Sequence, residues 1–298
     1  MHTLGQVYHQ KCSKILAVVN PTFLLWKKHC LSHGYCSLPL ASFAFDEFRK
    51  LCIEGRLNDA IQILYLRPHY SSSVSFSASF NCLLQGCIRY KDMETFNEAY
   101  SLIVKHGFET DSYLATSFIR MFAMHGSLSQ ADFVFAKLLE PDVVTWSALI
   151  AGYVQLGSPQ EALRLYQLMM QEHIAPNCVT FMSSLKACSN LVALYEGTLI
   201  HSQIIENGLE LEKLICNTLI DMYGKCGNLR DAYKVFSYMS NRDAVSWNAL
   251  ISGFALQSNY ESALRLFESM QQEGLRPDDI TFLSLLSVCN HLGLVKEG

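Results

Sequence analysis

No aspartate or glutamate occurs before Asp46, and no arginine occurs in that stretch either. Its basic residues are Lys11, Lys14, Lys27 and Lys28, set among serines and histidines. An acid-free, weakly basic leader suits an organelle transit peptide, although the missing arginines leave a ragged terminus without an address as the alternative. Long apolar runs are also absent. The most apolar early stretch, Ile15 to Trp26, is broken by Asn20 and Pro21 and is too short to span a bilayer. No C-x-x-C pair occurs among the 11 cysteines, which excludes a zinc framework of the common spacing, and an odd count fits a reducing compartment. Cys30, His33 and Cys36 supply only three potential ligands, in a leader without acids, so no metal is expected. There is no glycine-rich phosphate loop, no nucleophile elbow and no H-E-x-x-H. Neither a catalytic centre nor a cofactor is therefore expected. The ten histidines are scattered, and His201 reads as a packed or half-exposed side chain rather than a base.

What the chain has in abundance is self-similarity. Trp146 and Trp247 are 101 residues apart, as are Ala162 and Ala263, Gly157 and Ser258, Cys87 and Cys188, and Cys188 and Cys289. One position read through the chain gives Asn81, Thr116, Ser147, Met182, Asn217, Asn248 and Leu283, at spacings of 35, 31, 35, 35, 31 and 35. A repeat of this length marks stacked units, each too small to bury its own apolar face. Half of the residues are hydrophobic and 17% are charged, which suits helices buried on two sides. The recurring cysteines then read as small apolar packing residues.

Residues 143–177 show one unit most clearly. Trp146, Leu149, Ile150 and Tyr153 fall at helical spacing, and Gly157 ends that helix. Ser158 is placed as an N-cap with Pro159 in the first turn of a second helix, which carries Ala162, Leu165, Tyr166 and Met169. Each unit is thus a pair of antiparallel helices. Ala162 and Ala263 are placed where the two helices approach, and a larger side chain there would overpack. The 31-residue units lack about one turn at the end of the second helix.

Segments such as Ile220-Asp221-Met222-Tyr223-Gly224-Lys225-Cys226-Gly227 and Val245-Ser246-Trp247-Asn248-Ala249-Leu250-Ile251 resemble pentatricopeptide repeats. The alternation of lengths resembles the plant-type subclass built of P, L and S motifs, without the C-terminal E/DYW extension; the H-x-E…C-x-x-C deaminase signature that ends some of its members is absent from this sequence. The resemblance implies an all-α fold, a right-handed α-solenoid superhelix of helix-turn-helix repeats. It divides the chain into a leader, residues 1–41, and an array, 42–298, with a degenerate P unit at 41–76, L at 77–111, S at 112–142, P at 143–177, L at 178–212, S at 213–243, P at 244–278 and an unfinished L at 279–298.

Helical-repeat RNA binders read one base per unit. In the family, the fifth and the last residue of a motif read the base, and an apolar second residue wedges between bases. Carried onto this sequence, the readers are Thr116 with Asp142, Ser147 with Asn177, Asn217 with Asp243, and Asn248 with Asp278, and the wedges are Tyr113, Val144, Leu214 and Val245. The family code implies G, A, an unread base, U and U, from 5′ to 3′. The L-unit pairs, Asn81 with Asp111 and Met182 with Glu212, stay open. So does a structural reading of the same residues, because Asn and Asp before a helix are also good caps.

The resemblance implies binding of single-stranded organellar RNA, mitochondrial or alternatively chloroplast, and selection of sites for C-to-U editing or other processing, with catalysis and processing factors supplied in trans. No membrane or small-molecule partner is expected. Charge favours the alternative, a helical-repeat scaffold for other proteins without direct RNA contact. The formal charge is −4, and without residues 1–41 the chain has 19 basic against 27 acidic residues, or −8, whereas most nucleic-acid binders are basic. Lys186, Lys225 and Arg276 are the local cations a groove could use.

Overall fold

The computed structural model describes residues 39–66 and 73–292, and every element in them is an α-helix or a connection between helices. The expected leader and its Cys30, His33 and Cys36 lie outside the described residues, apart from the first residues of α1. The helices are α1 (Pro39–Glu54), α2 (Leu57–Leu66), α3 (Ser73–Tyr90), α4 (Met93–Lys105), α5 (Ser112–Met124), α6 (Leu128–Ala136), α7 (Val143–Gln155), α8 (Pro159–Gln171), α9 (Cys178–Leu191), α10 (Leu194–Glu206), α11 (Lys213–Lys225), α12 (Leu229–Tyr238), α13 (Ala244–Leu256), α14 (Tyr260–Gln272) and α15 (Asp279–Leu292). None of them is long and apolar enough to cross a membrane. The chain falls into two compact units, dividing between Ser117 and Phe118.

In the first unit the hairpins α1–α2 and α3–α4 pack first helix on first helix and second on second. Their core holds Phe48, Leu51, Ile61, Phe80, Leu83, Leu84, Phe96 and Ile103. Burial of such side chains contributes roughly 1.5–3 kcal/mol each. Polar bonds tie one hairpin to the next: the Tyr90 hydroxyl donates to the Ile53 carbonyl at 2.6 Å, and the Thr95 hydroxyl donates to Asn58 Oδ1 at 3.1 Å. Helix α3 begins four residues before the expected start of the L unit at Ser77.

In the second unit the first helices of successive repeats, α7, α9, α11, α13 and α15, contact one another in order. The second helices α8, α12 and α14 each touch their own first helix and the next one, so each closes the core between two neighbours. The short repeat is visible as α12, with 10 residues, against 13 in α8 and α14. Trp146 and Trp247 occupy equivalent places, edge-on against Phe135 and Phe236 at centroid distances of 4.6 and 4.7 Å. Ala162 and Ala263 are fully buried. Cys87 and Cys188 are likewise buried, and burial pushes both thiols up to about 12, so they pack as apolar groups. Gly157 takes φ +75° after α7, as its role of helix terminator requires, and Ser258 adopts the same left-handed backbone at φ +58° after α13. Ser158 holds the N-cap position of α8 with Pro159 following it, but its side chain makes no capping hydrogen bond.

Candidate nucleic-acid interface

The expected wedge residues are all at least about half exposed although each opens an otherwise buried first helix: Tyr113 60%, Val144 49%, Leu214 64% and Val245 58%. Val179 and Ile280, at the equivalent second position of their helices, are exposed too and were not singled out by the sequence reading. An apolar residue held open at one helix position, repeat after repeat, is not explained by core packing.

The last residues of the units are helix caps. Asp142 accepts from the Val144 and Thr145 N–H groups at 3.1 and 2.8 Å. Asn177 forms a reciprocal box with Thr180, and Asp243 forms one with Ser246. Asp278 accepts from the Thr281 N–H at 2.9 Å. The structural alternative left open by the sequence is therefore realised in every one of these residues. It does not exhaust them, because a carboxylate has two oxygens and about four acceptor directions.

The fifth residues lie behind those caps. Ser147, Asn217 and Asn248 are nearly buried, which sets them deeper than their cap partners. The Asn248 amide donates to both oxygens of Asp278, at 2.8 and 3.0 Å, and its Oδ1 accepts from the Thr281 hydroxyl at 2.5 Å. The Ser147 hydroxyl lies 3.2 Å from Asn177 Oδ1 and 2.7 Å from the Thr180 hydroxyl, and donates to the Val143 carbonyl at 2.5 Å. The structure thus brings Asn248 and Asp278 into direct hydrogen-bond contact and sets Ser147 against Asn177 at 3.2 Å. Asn217 makes no such bond: its Oδ1 is buried without a donor, and Asp243 is held by Lys213 at 2.8 Å. Thr116 is half-buried on α5; it belongs to the first compact unit, and Asp142 belongs to the second.

Both carboxylates are ionised at neutral pH. The Lys213 ammonium holds Asp243 below its ordinary value, and the Thr281 N–H does the same for Asp278. An ionised carboxylate only accepts hydrogen bonds. It suits a base edge that presents a ring N–H, as uracil and guanine do, and repels one that presents a lone pair. An asparagine in the same place can donate.

His201 does not join this face. Its Nδ1 lies 2.8 Å from the Tyr223 hydroxyl, and burial lowers its pKa, so it is a packed neutral ring beside a cavity of about 570 Å³ bounded by α10, α11 and α12. Among the described residues no group of three or more His, Cys, Asp or Glu side chains is gathered to hold a metal.

The PPR repeat family profile matches residues 141–190 and 242–291, and a second profile, PPR repeat, matches 216–240. The chain belongs to the pentatricopeptide repeat family. A pentatricopeptide repeat-containing protein of Arabidopsis thaliana, At4g16470, is 35% identical over 249 residues, covering 83% of this chain and 49% of that protein. The pentatricopeptide repeat-containing protein CRR2, chloroplastic, also from Arabidopsis thaliana, is 35% identical over 257 residues, covering 84% and 39%. The chain spans about half or less of the length of these relatives. Among solved structures, the pentatricopeptide repeat protein PPR10 in complex with an 18-nucleotide RNA element superposes with a TM-score of 0.70 over 88% of this chain and 39% of that one, at 19% identity. That likeness fixes the fold as an α-solenoid of helical hairpins.

Within this pentatricopeptide array the sequence reading missed the third residue of each unit. Thr145, Thr180, Ser246 and Thr281 complete the caps, and the Thr281 hydroxyl also donates to the Asn248 amide oxygen. A signal existed: the third residue carries a hydroxyl in these 35-residue repeats and is aliphatic in the 31-residue ones, Leu114 and Ile215.

Proposed function

We propose that this protein binds single-stranded organellar RNA in a sequence-selective way, one base per repeat, and belongs to the subclass of P, L and S motifs. Its task is to select transcript sites for C-to-U editing or other processing, with the catalytic step supplied in trans. The observation that carries the reading is the Asn248–Asp278 pair. Two residues 30 positions apart are held in one hydrogen-bonded unit, beside the exposed Val245 and Ile280. Structural need alone explains the cap. It does not explain an amide fixed against that cap with open apolar side chains on either side. The RNA complex of PPR10 shows that a protein of this fold can take a strand. The chloroplast named for CRR2 supports an organellar address, with the mitochondrion as the other candidate.

The formal charge of −4 favours the second reading, a scaffold for other proteins. Direct binding separates the two. The purified protein should prefer an oligonucleotide carrying G-A-n-U-U over a scrambled one, and Asn248→Thr should move preference at the last read base from U towards G. A good pairing contributes about 1–3 kcal/mol, by analogy with direct readout of DNA, so the change in preference should be roughly tenfold or more. Absence of binding at low salt, or a mutant with unchanged base preference, rejects the readout.

A further inference from the structure

Two repeats carry the same reading residues, and the structure holds them in different states. In the unit 244–278 the amide of Asn248 already grips Asp278 and is satisfied in turn by Thr281. In the unit 213–243 the equivalent amide, Asn217, is buried with its Oδ1 unpartnered, and the equivalent carboxylate is occupied by an ammonium, Lys213 Nζ to Asp243 Oδ2 at 2.8 Å. Ser246, in the place of Thr281, donates its hydroxyl to Asp243 rather than to the amide. Lys213 is the first residue of its unit. The first residues of the other units are Ala41, Ser77, Ser112, Val143, Cys178, Ala244 and Asp279, so no other repeat has a cation there. Among the described residues neither Asp142 nor Asp278 has an ion-pair partner.

We propose that Lys213 is a phosphate-binding residue of the RNA interface, parked on Asp243 until a strand arrives. This rests on the RNA reading above. Both side chains are about two-fifths exposed, 44% for Lys213 and 36% for Asp243, so the pair is weakly held and screened by salt. Leu214, the wedge of the same repeat, follows Lys213 directly and is 64% exposed, which sets the ammonium beside the place where the strand threads. An RNA phosphate competes with Asp243 for this ammonium, and pairing with it releases the cation condensed on that phosphate. Exchange frees Asp243 to accept a base N–H, or the Nδ2–H of Asn217 in the way that Asp278 accepts from Asn248. The ligand is thus one phosphodiester of single-stranded RNA, adjacent to the base read by this unit.

The test uses the full chain and a synthetic RNA carrying G-A-n-U-U, with a second RNA bearing G in place of the fourth base, over a range of KCl concentrations. For single strands each phosphate contact contributes about 0.7 to the slope of log affinity against log salt. Lys213→Gln should flatten that slope by about 0.7, so that a tenfold rise in salt costs the wild type about fivefold more affinity than the variant. Preference for U over G at the fourth base should persist, since the ammonium touches no base. Lys234→Gln, which removes a cation paired with Asp231 on α12, should leave the slope alone. An unchanged slope in Lys213→Gln overturns the proposal while leaving the RNA reading intact, as does lost base preference at unchanged slope. Failure of the wild type to bind either RNA overturns both.

Discussion

The backbone after α7 and after α13 turns into the left-handed region, and the two turns are made with different residues. Gly157 does so without strain at φ +75°, whereas Ser258 is forced to φ +58°. A residue with a Cβ loses about 1–2 kcal/mol there, while glycine costs about 0.5–1 kcal/mol in unfolded-state entropy. Ser258→Gly should therefore raise stability by about 0.5–1 kcal/mol in urea unfolding, and Gly157→Ser should lower it by a similar amount. A stabilisation by Gly157→Ser would show that the turn is not the constraint. This position was legible from the sequence because glycine and its replacement stand 101 residues apart. The proposed reading pairs were legible only in part. Period and residue type located Asn248 and Asp278, but capping uses the same side chains. Nothing in the one-dimensional pattern announced that Asp243 would be claimed by Lys213, because that depends on where a flexible side chain settles. The exposure of Val179 and Ile280 was hidden for a similar reason: an aliphatic residue in a helix reads as core until its face is known.

Neighbouring first helices approach most closely where side chains are missing. A Cβ built on Gly224 would stand 2.9 Å from the Cα of Gly253, and the reverse holds, so α11 and α13 touch backbone to backbone. One triplet earlier the same place is taken by Ala123 and Gly152, where a Cβ on Gly152 would fall 2.7 Å from the Cβ of Ala123. The earlier contact thus has room for one methyl group and not two, and the α11–α13 contact is closer, with no room for one unless the helices shift. Gly224→Ala pushes the two backbones apart and should cost about 1 kcal/mol or more, and alanine at both 224 and 253 should cost more still, about 1–3 kcal/mol through overpacking. Equal losses for the single and double variants would mean that the helices are free to move apart. The helices themselves, their order and the shortened α12 could be read from apolar spacing and the 35/31 alternation. The backbone contact could not, since glycine in a helix looks like a weakness until the partner helix is in place.

Repeats that touch only their neighbours make stability a local property along the chain. In the second compact unit the first helices from α7 to α15 meet only in succession. The equivalent tryptophans report on separate stretches: Trp146 packs on Phe135 and Trp247 on Phe236. With Trp26 changed to Phe, Trp247→Phe leaves Trp146 as the reporter, and Trp146→Phe leaves Trp247. Either change also removes an indole N–H that is buried without an acceptor, which limits its own destabilising effect. The double alanine substitution at 224 and 253 lies at the contact beside Trp247 and more than one hairpin from Trp146. It should lower the urea midpoint seen by Trp247 and shift that seen by Trp146 much less, with the far-UV transition broadened between them. Such behaviour departs from a single two-state transition, as long repeat arrays do when cooperativity breaks down. If both tryptophans instead shift together by the same amount, coupling between adjacent repeats exceeds their intrinsic differences. The array then unfolds as one body.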